Sequence, residues 1–306
     1  MERVTVFAPG SVSNVGPGFD CFGIAIAGRG DRVTARRTDD PGVRVVAVSD
    51  PRIPLAPGRN TAAIAAQHML TRSGAGTGLE LSIEKGLPLS GGLGGSAASA
   101  VAGAVAAHML LELNWPQREL LLAALEAEAV VSGRHPDNVA PSLFGGAVLI
   151  CDPDQPVFTR VRVHPSLRLV LVTPAYTVET AAARAVLPPS VSRATAIAQA
   201  ARLGTLVLGL ERAEATLIDA AMRDAIAEPA RASLFPGYAQ ARLAGLQAGA
   251  CGVAVSGAGP TVVAVAREPD AEATGAAMRE AHGRLGISAM AQVAQVDEQG
   301  ARAVVT

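Results

Sequence analysis

Lysine is almost absent from this chain: of its 26 basic residues every one is arginine except Lys85. Aromatic residues are scarce too, at 3%, while apolar residues reach 49% and charged ones only 17%, with alanine and glycine prominent. Such a composition describes a compact protein packed from small side chains and excludes disorder for the bulk of it. The net charge of -1 and the lack of any basic run leave no long-range field to draw nucleic acid or an anionic membrane. A small-molecule partner is expected instead, with no nucleic acid and no membrane. Cys21, Cys151 and Cys251 are odd in number and far apart, without Cys-x-x-Cys spacing or a nearby histidine cluster, so neither a disulfide framework nor a zinc site is indicated. His68, His108, His164 and His282 have no ligand-like spacing either. No charged head, apolar stretch and cleavage site open the chain, and a reducing cytoplasmic location is expected. The longest apolar segment, 97–113, is mostly alanine, carries His108 and Glu112, and falls short of the roughly 20 residues of a spanning helix. It reads as a core helix.

With 306 residues the chain is long enough for two modest domains. Strand-like alternation marks Val4, Val6 and Ala8, then Val43, Val45 and Ala47, then Leu79, Leu81 and Ile83. Helical spacing marks 61–70, 97–113 and 119–131, the last with Pro116 near its start and Asn114 as a cap. The turn-rich stretch 151–156 suits an exit from one domain, and a boundary near 155–165 divides the chain into 1–160 and 161–306. The second half shows strands at 167–172, 252–256 and 261–266 and helices at about 193–211, 213–227, 238–248 and 270–284. The pattern predicts an α+β protein with antiparallel strands and helices on one face.

Three glycine-bearing segments concentrate the chemistry. The segment Pro88-Leu89-Ser90-Gly91-Gly92-Leu93-Gly94-Gly95-Ser96-Ala97-Ala98-Ser99 follows a strand and opens a helix. Free backbone N–H groups and the positive helix end coincide there, and glycine lets phosphate oxygens approach the backbone closely. It is neither a Walker loop nor the dinucleotide fingerprint. A glycine turn serving close helix packing is the plainer alternative. Lys85 precedes this loop by three residues. Its place is either chance or a point where a compact ammonium fits and a planar guanidinium does not. The N-terminal stretch 8–20 sets Asn14 and Asp20 in a rigid Gly/Pro-rich loop, and 252–261 reads as strand, tight glycine turn, strand. Three such segments spread over both halves suggest loops of two domains meeting at one ligand.

The order and placing of these segments resemble the GHMP kinase family (galactokinase, homoserine kinase, mevalonate kinase, phosphomevalonate kinase), over essentially the whole chain. Within the family the residues are most similar to homoserine kinases: Asn-Val-Gly-Pro-Gly-Phe-Asp-Cys-Phe-Gly in the first motif, His135-Pro136-Asp137-Asn138-Val139-Ala140-Pro141-Ser142-Leu143-Phe144-Gly145-Gly146 in the middle, and Glu228-Pro229-Ala230-Arg231 later. The resemblance implies an N-terminal ribosomal-protein-S5-domain-2-like domain with a left-handed βαβ crossover and a ferredoxin-like C-terminal domain. It implies ATP between them, with 88–99 around the phosphates, Asn60 close to the adenine, and Ser96 and Glu128 holding Mg2+. Two departures occur: the loop reads Gly-Leu-Gly-Gly-Ser where Gly-Leu-Gly-Ser-Ser is usual, and Ala258 stands where Ser is common. A homodimer is also implied.

By the same resemblance the acceptor is L-homoserine, phosphorylated on its side-chain hydroxyl in threonine biosynthesis. Arg184 and Arg231 would grip its carboxylate, Asp20 would face its ammonium, and Asn14, His135 and Asn138 would complete the substrate side. Asp137 is left as a turn-forming structural residue. Where mevalonate kinase-like members carry an aspartate base, this chain offers Asn138. Catalysis is then expected to rest on in-line positioning and charge neutralisation by Mg2+, Lys85 and the loop amides. Another GHMP small-molecule kinase, of the mevalonate or 4-diphosphocytidyl-methylerythritol type, or a non-catalytic sensor on the same fold remain as alternatives.

Overall fold

The structure, a computed structural model, describes residues 1–131, 133–152 and 157–304. The first half builds around a long hairpin, β1 (Arg3–Asn14) and β2 (Gly18–Thr38). Almost all of β1 is buried, because α-helices cover it and β2 and the chain's last strand flank it. The register breaks between Pro9 and Ser11, where a proline without an N–H is tolerated at a bulge. Next come β3 (Gly42–Val48), α1 (Thr61–Ser73) and β4 (Gly78–Glu84). β3 and β4 pair in parallel, the single parallel pair among the described strands, so α1 is a crossover helix.

The alanine-rich helix α2 (Gly95–Leu110) follows, buried along nearly its whole length against β1, β2 and α1. Its small side chains let these elements approach closely, which is what the composition foretold. Helix α3 (Gln117–Val131) starts just after Pro116, and α4 (Pro136–Phe144) carries proline at its first position, where a missing N–H costs nothing. Strands β5 (Ala147–Asp152) and β6 (Val157–Val161) pair with each other and join β2 in the seven-stranded sheet. The turn-rich stretch at 151–156 therefore connects two strands of one sheet; residues 153–156 lie outside the described part. The passage to the second sheet comes after Val161.

That second sheet is made by β7 (Leu167–Pro174), a helical excursion of α5 (Thr180–Ala185), α6 (Arg193–Arg212), α7 (Ala215–Ala221), α8 (Ala227–Ala230) and α9 (Tyr238–Gln247), then β8 (Ala250–Val255), β9 (Val262–Arg267), α10 (Glu268–Gly283) and β10 (Ala289–Ala294). The strand order β10-β7-β9-β8, all antiparallel, is the ferredoxin-like arrangement. One expected helix is interrupted: 213–227 ends at Ala221, because the Asp224 carboxylate captures the amides of Ile226, Ala227 and Glu228 and starts α8 afresh. The chain end then returns to the first sheet, where Val296 bridges Ile26 and β11 (Arg302–Ala303) pairs with β1. No helix among the described residues is long and apolar enough to cross a membrane.

Candidate active site

A cavity of about 380 Å3 lies between the two sheets and collects residues from all three glycine-bearing segments. One wall is the loop that opens α2. Gly94, the N-cap of that helix, has φ +65, and a Cβ there would sit 2.4 Å from Ser11 Oγ and 2.8 Å from Asn138 Oδ1. Only glycine meets both demands. No side chain caps α2 and no acidic residue occupies its first turn, so its leading amides and positive dipole end face the cavity. A 16-residue helix begun in this way is built to receive an anion.

Pro88, Leu89, Ser90, Gly91, Gly92, Gly94, Gly95, Ser96 and Ser99 line the cavity, whereas Leu93, Ala97 and Ala98 do not. Those three pack in the hydrophobic core, Leu93 being 5% exposed and the two alanines fully covered, because an amphiphilic loop must anchor one side of itself. Asn60 reaches the cavity wall, yet its side chain is engaged: Oδ1 accepts from Ala63 N at 3.2 Å as the cap of α1, and Nδ2 donates to Pro54 O at 2.9 Å. Both ends of its amide are thus bonded within the protein. Ser96 Oγ donates to Glu128 Oε2 at 3.1 Å, so the expected pair of metal-side oxygens is brought together.

Lys85 does line the cavity, but all three of its ammonium hydrogens have acceptors: Asp31 Oδ2, Gly95 O at 2.8 Å and Ser99 Oγ at 3.0 Å. Asp31 is fully buried and no sequence feature drew attention to it. The single lysine of the chain was its one available signal.

The cavity lining also brings together cationic and acidic side chains. Arg184 grips Asp20 with both Nη atoms, at 3.1 and 2.6 Å, and Nη2 also lies 3.0 Å from His135 Nδ1. The residues expected at opposite ends of a zwitterion are thus paired with each other. Arg231, 4% exposed, donates to Ala183 O and Gly257 O, and burial followed by the Arg184 charge lowers its pKa. Both guanidinium groups lie over the Phe19 ring, at 5.6 and 5.3 Å, a contact the sequence did not disclose. Asn14 donates to Gly257 O at 2.9 Å and accepts from Asp20 N, which ties the first segment to the third.

Asn138, in the first turn of α4, lines the same cavity. Its Oδ1 accepts from Ser11 Oγ at 3.0 Å and its Nδ2 donates to Ser13 Oγ at 3.1 Å, so its amide is held in one orientation. Ser11 and Ser13 sit one strand step apart on β1 and escaped the sequence reading. Asp137, expected to be a turn-forming structural residue, lies in the first turn of α4, is 1% exposed and lines the cavity. Burial, and next the Asp20 charge, push its carboxyl up to about 7, against a hydrogen bond from Ser13.

Known proteins resemble this chain over nearly its whole length. The family described as GHMP kinases N terminal domain matches residues 60–146, and that described as GHMP kinases C terminal matches 206–284. A homoserine kinase of Xylella fastidiosa (strain M12) is 41% identical over 98% of this chain and 94% of its own length. A homoserine kinase of Chlorobaculum tepidum is 37% identical, over 100% of this chain and 99% of its own. The crystal structure of homoserine kinase from Cytophaga hutchinsonii superimposes with a TM-score of 0.95 at 37% identity, covering 99% of this chain and 98% of that one. The chain belongs to the GHMP kinase family, alongside the homoserine kinases.

Proposed function

We propose that this protein transfers the γ-phosphoryl group of ATP to the side-chain hydroxyl of L-homoserine, releasing O-phospho-L-homoserine and ADP as a step of threonine biosynthesis. The observation that carries the reading is that Arg184, Arg231 and Asp20 share one cavity with the uncapped start of α2. An amino-acid zwitterion offers a carboxylate to guanidinium donors and an ammonium to a carboxylate, and such charge-assisted bonds are the strong ones. Mevalonate and galactose have no ammonium for Asp20.

The residues fit a hard divalent cation. Ser96 Oγ and Glu128 Oε2 are oxygen donors 3.1 Å apart beside the helix start, and Mg2+ takes few protein ligands with the balance from phosphate and water. Bound there, Mg2+ would neutralise phosphate charge. Asn138, fixed by Ser11 and Ser13, orients the attacking hydroxyl, and the loop amides with the dipole of α2 stabilise charge on the transferring group. A loose transition state asks little activation of the nucleophile, so orientation supplies most of the rate. Proton and phosphorus NMR of the product of Mg-ATP with L-homoserine tests the reading. A phosphate monoester on the side-chain oxygen is expected, and ATP consumption yielding only inorganic phosphate contradicts it.

A further inference from the structure

We propose that Asp31 is a positioning residue for the nucleotide site, acting through Lys85 on the loop that opens α2; the inference rests on the kinase reading above. Asp31 lies in β2, fully buried, and each of its oxygens is used. Oδ1 accepts from Gly86 N at 3.2 Å; Oδ2 accepts from Ser99 Oγ at 2.6 Å and from Lys85 Nζ. The Ser99 hydroxyl gives its hydrogen to Asp31 and accepts from Lys85, which closes the ring. The remaining ammonium hydrogen reaches the Gly95 carbonyl, the first residue of α2. Three elements are thereby pinned at one point: β2, the chain just after β4, and the helix start.

This arrangement redefines what Lys85 does. With all three hydrogens committed, it holds the peptide from which the phosphate-facing amides project, and its charge is balanced by Asp31. A buried ion pair of this kind contributes little net stability, while removing one partner leaves an uncompensated charge. Its value is in fixing geometry. The reason for lysine in a chain of arginines follows: three tetrahedral hydrogens converge on a carboxylate, a carbonyl and a hydroxyl, which a planar fork does not reproduce.

Equilibrium binding of a non-hydrolysable Mg-ATP analogue to the full chain tests the proposal, and needs no acceptor, so it is separable from the choice of homoserine as substrate. Asp31→Asn and Lys85→Met are each expected to weaken analogue binding by about tenfold or more, the loss of a charge-assisted bond. The double variant is expected to be no worse than the weaker single one within about twofold, because the two act as a unit. At saturating nucleotide, the KM for the acceptor stays within about twofold of wild type, a split that general loosening of the fold does not produce. Multiplying losses, or unchanged binding in Asp31→Asn, overturn the proposal. Should Asp31→Asn fail to fold, Ser99→Ala keeps both charges and removes one corner of the ring. Binding weakened about threefold supports the proposal, and wild-type binding overturns it.

Discussion

Arg184 and Asp137 show the site's logic at the scale of single residues. Arg184→Lys keeps the charge and loses the two-pronged grip, so the KM for the acceptor should rise about tenfold while the KM for ATP is unmoved, as steady-state kinetics with each substrate varied would show. Asp137 is held near neutrality by burial, with its carboxyl pushed up from 3.8 to about 7. Its protonated form therefore contributes stability that is fully present below pH 4 and lost as pH rises through 7. Asp137→Asn should raise the melting temperature at pH 8 and leave it unchanged at pH 4, which calorimetry at the two values checks; an equal gain at both would refute the cause assigned here. The paired arginines, Asn138 and Ser96 were legible in the sequence because motif context singled them out. Asp31, Ser11, Ser13 and Phe19 were not, since a lone aspartate, two serines and a phenylalanine acquire meaning only from what folds against them.

Element by element, the loop before α2 is held from several sides. Its conformation depends on Gly94, where a methyl group would collide with Ser11 Oγ and Asn138 Oδ1 at once. Gly94→Ala should cost about 1–3 kcal/mol of stability and at least tenfold in kcat/KM, read by chemical denaturation and by initial rates. The hairpin between β8 and β9 locks the same loop from the other side. Ser256 Oγ donates to Gly92 O at 2.6 Å and Thr261 Oγ1 to Gly91 O at 2.5 Å. Most elements announced themselves through periodicity: the three early strands, α1, α6 and both strands of the hairpin lie where alternation or helical spacing puts them. The break between α7 and α8 did not, because a carboxylate bonding to three amides overrides a periodic pattern without disturbing it.

Across the whole molecule, the two sheets share one site and one chain reversal. Gly257 N donates to Ser13 O at 3.0 Å, Asn14 donates to Gly257 O at 2.9 Å, and the C-terminal strand β11 extends the first sheet. With so many bonds crossing between the halves, thermal unfolding should occur as a single transition, and saturating Mg-ATP should move all of it upward by linkage. Two separated transitions, only one of them sensitive to nucleotide, would contradict this. The α+β class was readable from element order. The return of β11 to the first sheet was not, since a two-residue strand carries no period. The central claim is most directly tested by ADP release with Mg-ATP, comparing L-homoserine, mevalonate, galactose and no acceptor. Release dependent on L-homoserine alone is predicted, and turnover with mevalonate but not with L-homoserine would contradict the account.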